Sequence, residues 1–435
     1  PKLADPQLTS NFPTRTMKHF FHLACAIGLL LSVHAQTYTH HPATAEGMGT
    51  AGAIGAYLNG TLPYNPPSNS GSSSGPSWVL EDAFPALNGF WKPLDAHLVP
   101  NSSPPQIAVR ERLGKVYIIE DDPTSTSKVQ LLDIKNLIDN NHNGGLRGFA
   151  FHPEYNDPNS PNKDYFYTWY STNINGTLYL QLSRFTRDPN TGSAPLSSEL
   201  VMIRMKELAP LDHIGGGMIF DNDGFLLLGI GDLEYTDEEF LDTLRIDRMF
   251  QSCILRIDVD QDSSKSFPPT RTLQGGIVNG IQTTQSHTTG RYADALNLSG
   301  VGYFIPNDNP FVSEPDALAE HVAVGVRNPW RFSKDSVDGD IVFFDVGSNS
   351  SPVYEEINLY AKGADFGWPY WEGEVSKTYE TGIAAPTNPL GPFTTDIWSY
   401  AHVDGNGNCI GDGVIYRGNS LPGLNSKVVY NDYNS

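Results

Sequence analysis

From Trp78 onward the chain is a succession of short apolar or alternating runs, each closed by Gly, Asp or Asn. KVYIIED at 115–121, DYFYTWYS at 164–171, LYLQLSRFT at 178–186 and GFLLLGIGD at 224–232 are of this kind. Their lengths and their β-branched and aromatic content predict strands. A looser unit recurs, in which a turn of Asp, Asn or Gly feeds a strand with an aromatic or aliphatic face. It is seen in MIFDNDGFLLLGIGD from Met218, RFSKDSVDGDIVFFDVG from Arg331 and GVIYRGNSLPGLNSKVVYNDYN from Gly413. The irregular spacing of the copies favours a propeller with loops inserted between blade strands over a strict solenoid or a sandwich. Helical patterning is best developed at 236–251, where Thr236 and Glu239 are placed to form a capping box.

Composition sharpens this picture. The 41 Gly and 32 Pro, with 21 Phe and 20 Tyr, suit an all-β chain rich in turns, and 435 residues can bury a large core in one domain or two. The 49 acidic against 28 basic residues give a formal net charge of -21, which argues against nucleic acid or an anionic membrane as partner. Such a surface serves solubility and is also compatible with calcium binding.

Residues 1–16 read as leader sequence preceding the native start at Met17. Residues 17–35, MKHFFHLACAIGLLLSVHA, combine a basic start, an apolar run and a small-residue cleavage signal, the pattern of a secretory signal peptide. The run is too short to span a bilayer, so a soluble, secreted product starting near Gln36 is expected, with a flexible Gly/Ser/Pro-rich linker over 36–77. Secretion leaves Cys253 and Cys409, which are free to pair or not, and fits the Asn-X-Ser/Thr triplets at Asn59, Asn101, Asn175, Asn297 and Asn349.

Candidate chemistry centres on PLDHIGGGMIFDNDGFLLLGIGD, 210–232, where His213 stands between Asp212 and the glycines 215–217. Successive glycines mark backbone passing close to other backbone or to a ligand, so the stretch reads either as crowded strand packing or as a ligand-facing loop. In VAVGVRNPWRFSKD, 322–335, Arg327 and Asn328 precede a proline that fixes the backbone and aims both side chains. The stretch 339–373 gathers Glu355, Glu356 and Asp365 with Trp368, Tyr370 and Trp371; its acids and loop carbonyls suit Ca²⁺ or form a solvated acidic loop. The aromatic cluster reads as blade packing, with sugar stacking as the other possibility. No nucleophile elbow, phosphate loop, dinucleotide fingerprint or zinc motif is present.

Motifs then follow in a definite order: GGLRGFAFHPEY (144–155), DHIGGGMIFDNDGFLLLGIGD (212–232), ILRIDVD (254–260), IPNDNPF (305–311), VGVRNPWRFSKD (324–335), EEINLYAKGADFGWPYWEG (355–373) and DGVIYRGNSLPGL (412–424). In this order the chain resembles the soluble quinoprotein glucose and sorbosone dehydrogenases, whose fold the hedgehog-interacting-protein-like proteins share. The resemblance runs from about Ile107 to Ser435.

What the resemblance implies is a six-bladed β-propeller over 78–435, its last blade incomplete at Ser435, with pyrroloquinoline quinone (PQQ) across the top and Ca²⁺ beneath the quinone. His213 falls at the family's catalytic base, Arg327 at the arginine that steadies charge on the quinone, and Asn328 at its neighbouring contact. Asp212, Asn143 and Arg417 join the implied cofactor set. Gly347, Ser350 and Ser351 would supply a calcium loop, and Glu355, Glu356 and the Phe366 carbonyl a second calcium site. The implied substrate is a sugar or related alcohol oxidised at its anomeric hydroxyl, with an external electron acceptor downstream. Two departures stand out: the loop GSNSSPVYEE at 347–356, with a glycosylation triplet at Asn349, and Leu233-Glu234-Tyr235 after IGD. They keep open an extracellular propeller that binds a protein partner without catalysis, and a calcium-dependent propeller hydrolase or lactonase.

Overall fold

The computed structural model describes residues 82–87, 89–207, 212–233, 246, 250–269, 302–314, 317–349, 353–373, 375–376, 393–402 and 407–433, with short strands at Leu3–Ala4, Val33–Thr37, Val79–Leu80 and Leu296–Leu298. Most of the helical pattern at 236–251, the linker at 36–77 beyond Thr37, Ser350 and Ser351 lie outside the described residues.

The described chain is all-β in a propeller arrangement of four blades. The first blade contains β1 (Pro93–Leu98), β2 (Gln106–Glu111), β3 (Lys115–Glu120) and β4 (Val129–Asp133). The second contains β5 (Leu146–Phe151), β6 (Tyr165–Ile174), β7 (Thr177–Thr186) and β8 (Leu200–Glu207), with Leu296–Leu298 added at its edge. The third contains β9 (Met218–Phe220), β10 (Leu226–Ile230), β11 (Cys253–Ile257) and β12 (His321–Val324). The fourth contains β13 (Pro329–Lys334), β14 (Ile341–Asp345), β15 (Tyr354–Leu359) and β16 (Trp398–Ala401). A further sheet pairs β17 (Ile410–Tyr416) with β18 (Lys427–Asp432), whose other edge takes Val33–Thr37. The six blades implied by the family resemblance are thus four within the described residues, plus this smaller sheet.

Every blade strand pairs antiparallel with its neighbour in chain order. Local sequence sets the joints. Asn175 and Gly176 both take positive φ, 54° and 87°, so β6 and β7 are joined by a two-residue turn matched to strand twist, and all ten residues of each strand pair in register. In the Asn-Asp-Gly turn of the third blade, the Asp221 carboxylate accepts from the backbone N–H groups of Asp223 and Phe225, at 2.9 and 2.8 Å.

The core lies between blades. Successive residues of a strand point to opposite faces, and both faces here are covered. Leu228 and Leu255 pack toward the second blade with Trp169 and Leu182, while Leu227 and Ile254 pack toward the fourth with Phe343 and Phe366. Phe343 and Phe344 are divided in the same way, Phe344 joining Ile415 and Val428 of the following sheet. A blade buried on both faces needs apolar residues at consecutive positions, which is why GFLLLGIGD is continuous where a one-sided strand would alternate. Cys253 and Cys409 are both free thiols, and burial raises the pKa of each.

The first strands of the blades surround a cavity of about 730 Å³. The glycines at 215–217 sit at a close approach of backbone and side chains near these strands. A Cβ on Gly215 would stand 2.3 Å from the Gly229 carbonyl oxygen, one on Gly216 2.6 Å from that of Arg147, and one on Gly217 2.8 Å from the Phe332 ring. Gly215 thus answers to crowding within its own blade and Gly216 and Gly217 to contact with the second and fourth, which brings the His213 loop against both neighbouring blades.

Candidate functional site

His213 immediately precedes this crossing and adopts positive φ, 44°, a conformation that costs a residue with a Cβ and persists only where its surroundings hold it. They do. The Ile214 carbonyl accepts from the buried Trp169 indole N–H at 3.0 Å, and the Gly215 N–H donates to Asn328 Oδ1 at 3.1 Å. The loop is thereby tied to the second and fourth blades.

The imidazole is bound at both ends. His213 Nδ1 lies 2.8 Å from Asp232 Oδ1, and Nε2 lies 3.0 Å from Arg327 Nη2. Arginine has no acceptor, so Arg327 donates, Nε2 carries the lone pair, and Nδ1 holds the proton shared with Asp232. Asp232 is buried and is steadied in turn by the Trp368 indole, whose Nε1–H donates to Oδ2 at 3.0 Å. Trp368 also underlies Arg327, with the guanidinium carbon 5.4 Å from the ring centroid. The four side chains close a ring drawn from the third and fourth blades and the 361–370 segment.

Arg327 is held at both ends of its own chain. Its backbone N–H donates to Asp345 Oδ2 at 2.9 Å, and its Nη1 donates to the Val346 carbonyl at 2.9 Å and to that of Gly347. Its Nε is buried without a hydrogen-bond partner among the described residues, and no carboxylate side chain pairs with the guanidinium. Burial pushes the Asp345 carboxyl up to about 7, with a further upward contribution from Asp232, while the two backbone N–H groups and the Arg327 charge oppose it.

Beside His213, Asp212 accepts from Asn143 Nδ2, and His142 Nδ1 is 3.7 Å from the other Asp212 oxygen. Asn143 in turn accepts through its carbonyl from Arg147 Nε. Asn143, Asp212, His213, Arg327 and Asn328 are therefore brought to one place. Asn328 spends its side-chain oxygen on the loop.

The other sequence-derived residues lie elsewhere. Arg417 forms ion pairs with Asp335 and Asp338 and donates to Ser426 Oγ at 2.7 Å. These partners follow the end of β13, whereas Arg327 precedes its start; the structure does not bring Arg417 to His213, because two carboxylates hold it at the far end of the strand. Glu355 accepts from the N–H of Gly347 at 3.2 Å and of Ile410 at 2.8 Å and pairs with His402. Glu356 accepts from the Gly373 N–H and, at 3.0 Å, from Asn358 Nδ2. Burial, with Asp396 and Asp345 nearby, pushes Glu356 well above the usual carboxylate range. Phe366 packs its ring on Phe343, centroids 4.9 Å apart. The two glutamates act as acceptors for strand and loop backbone, and among the described residues no group of three His, Cys, Asp or Glu side chains could hold a metal ion.

Sequence reasoning missed Asp232, Trp368 and Arg147 as site residues. The signal for Asp232 was present, a charged residue closing the otherwise apolar run GFLLLGIGD. Trp368 is buried, and its indole N–H supplies a polar contact to Asp232 that an aromatic cluster in the sequence does not reveal.

Comparison with known proteins places this geometry. A family model described as glucose/sorbosone dehydrogenase matches residues 90–250 and 285–431, more than half of the chain. HIPL1 protein of Arabidopsis thaliana is 28% identical over 56% of this chain and 32% of its own length. Quinoprotein glucose dehydrogenase B of Acinetobacter calcoaceticus is 26% identical over 61% of this chain and 48% of its own. The chain spans about a third, 32%, of the length of the first of these curated relatives. Among solved structures, the soluble aldose sugar dehydrogenase of Escherichia coli in its apo-form superposes with a TM-score of 0.52 at 15% identity, covering 78% of this chain and 80% of that one, and shows the fold alone.

Proposed function

Because the chain belongs to the glucose/sorbosone dehydrogenase family, we propose that it is a PQQ-dependent dehydrogenase that oxidises an aldose or related sugar at the anomeric hydroxyl. The observation that carries this reading is the closed ring of His213, Asp232, Trp368 and Arg327, which holds an imidazole lone pair against an arginine that forms no side-chain ion pair among the described residues. A family propeller of six blades and secretion from a signal peptide at 17–35 belong to the same proposal.

PQQ is a planar tricarboxylate and needs cations and a flat wall. Arg327, with its buried unpartnered Nε, fits that need, and Asn143 and Asp212 border the same place. When bound, PQQ supplies a two-electron acceptor for the hydride leaving the sugar carbon. The protein's own part is acid-base chemistry. A substrate hydroxyl reaching His213 Nε2 takes the place of the Arg327 N–H there, and the imidazole accepts its proton. The cation formed is held by Asp232 through Nδ1, and the displaced Arg327 donor becomes available to negative charge nearby. Asp232 and Trp368 fix the ring orientation, so no reorganisation is needed at the moment of transfer.

Calcium does not fit the carboxylates as they stand. Glu355 and Glu356 are occupied by backbone and side-chain donors, and the Gly347 carbonyl accepts from Arg327. No step is assigned to it.

The test is reconstitution with PQQ followed by dye-linked turnover on a panel of aldoses. His213→Ala should lower kcat/KM by about 10²–10⁴-fold while leaving quinone affinity nearly unchanged. Turnover equal in both proteins would remove the reading. The second reading, an extracellular binding propeller without catalysis, is favoured by the HIPL1 relative and by Arg417 being tied to Asp335 and Asp338. It expects no turnover on any aldose from either protein.

A further inference from the structure

Arg147 is the second residue of β5 after Leu146, in the stretch GGLRGF, and its side chain is 95% removed from solvent, with 5% exposed. A buried guanidinium ordinarily has a carboxylate partner, because an uncompensated charge out of water is costly. Its neighbours obey this. Arg110 and Arg331 share Asp95, Arg110 Nε lying 3.0 Å and Arg331 Nε 3.1 Å from its carboxylate. Although burial opposes it, Arg110, His97 and Arg331 hold the Asp95 carboxyl well below its usual range.

Arg147 has no such partner. Its Nε donates to the Asn143 carbonyl, its plane lies over Trp330 with the guanidinium carbon 4.7 Å from the ring centroid, and no carboxylate pairs with it among the described residues. Asp212, in the same network, is bound by Asn143 and faces His142. Arg112 stands nearby and spends its donors on the backbone carbonyls of Gly144, Asn140 and His142. Burial, then the like charges of Arg112, Arg331 and Arg110, push Arg147 well below the usual arginine range; the negative charge of Asp212 opposes the shift, but the two side chains form no direct ion pair. Four guanidiniums, those of Arg110, Arg112, Arg147 and Arg331, thus share the two carboxylates Asp95 and Asp212 in a chain of net charge -21.

We propose that Arg147 is the anchor of a carboxylate subsite: its two free Nη groups receive a carboxylate of a small ligand seated at His213, and Trp330 holds the guanidinium plane in place. Arg327, bound to His213 Nε2, supplies a second positive charge, so the two arginines favour an anion over a neutral molecule. The inference rests on the proposed function for the source of that carboxylate, which is either the cofactor or an acidic sugar of the uronate class.

The full chain is titrated with PQQ, with citrate as a redox-inert tricarboxylate, and with glucuronate and glucose, following tryptophan fluorescence and calorimetric heat. Wild type, Arg147→Gln and Arg147→Lys are compared, each checked for folding by circular dichroism. Arg147→Gln should weaken carboxylate binding by tenfold or more and flatten its salt dependence, with Arg147→Lys recovering part of the loss. If PQQ and citrate are affected and glucuronate is not, the carboxylate is the cofactor's; if glucuronate alone is affected, it is the substrate's. Citrate binding that depends on Arg147 in a protein that ignores PQQ keeps the subsite and removes the dehydrogenase reading. Equal affinities in folded wild type and Arg147→Gln, or no binding of any carboxylate by wild type, overturn the inference.

Discussion

His213 shows how a single residue can be legible in type and illegible in setting. Its place ahead of three glycines and its match to the family's base were readable from sequence, as were Arg327 and Asn328 before Pro329. What the sequence could not show is that Asp232, 19 positions away, and Trp368, 136 positions from Asp232, complete the ring, because those contacts form only when two blades and a loop converge. Arg417 went the other way. A basic residue in the motif VIYRG matches the family, but Asp335 and Asp338 give it nearer partners. If Asp232 sets the imidazole tautomer, Asp232→Asn should lower kcat/KM on the order of 10²-fold and displace the acidic limb of the pH profile, whereas a purely structural residue would leave that limb in place. Trp368→Phe, which keeps the packing and deletes the N–H donor, should reproduce a fraction of that loss. Kinetics across pH on the two variants decide between the alternatives.

At the scale of the strand, the continuous apolar run of β10 made the element visible but left its environment open, since a buried strand and a short buried helix look alike without periodicity. Two-sided packing between blades resolves this. Leu227 and Leu228 are adjacent, wholly buried, and belong to different inter-blade layers. Each Leu→Ala change should therefore cost about 2–5 kcal/mol by chemical denaturation, where a one-sided strand would lose stability at only one of the two. Glycines separate in the same manner. A Cβ at Gly217 meets the Phe332 ring, so Gly217→Ala should cost about 1–3 kcal/mol through overpacking, while Gly176→Ala, at a hairpin tip with nothing within 4 Å, loses only the smaller penalty of its positive φ. The blade count was the least legible feature. Irregular spacing of the repeat unit hides it, and the described residues show four blades and one smaller sheet.

The chain carries a net charge of -21, yet among the described residues Arg147 and Arg327 form no side-chain ion pair, and burial raises the pKa of several carboxyls. Burial pushes Asp345 up to about 7 and Asp365 to about 6, and Glu356 moves in the same direction. A carboxyl whose folded pKa is raised favours the folded state below the unfolded value of about 4 and gives up that contribution as pH rises to the folded value, at up to about 1.4 kcal/mol per unit for each group. Thermal stability should thus decline between about pH 4 and about pH 7, and Asp345→Asn should flatten the decline by calorimetry across that window. The central claim is that His213, Asp232 and Arg327 form one oxidative site on a propeller of this family. Its most direct measurement is a single-turnover mixing of PQQ-loaded protein with excess glucose or glucuronate, following quinone absorbance in wild type and His213→Ala. The account predicts rapid reduction in wild type and a rate lower by about 10²–10⁴-fold in the variant, with quinone still bound in both; equal rates, or a wild type that binds quinone and is reduced by neither sugar, would contradict it.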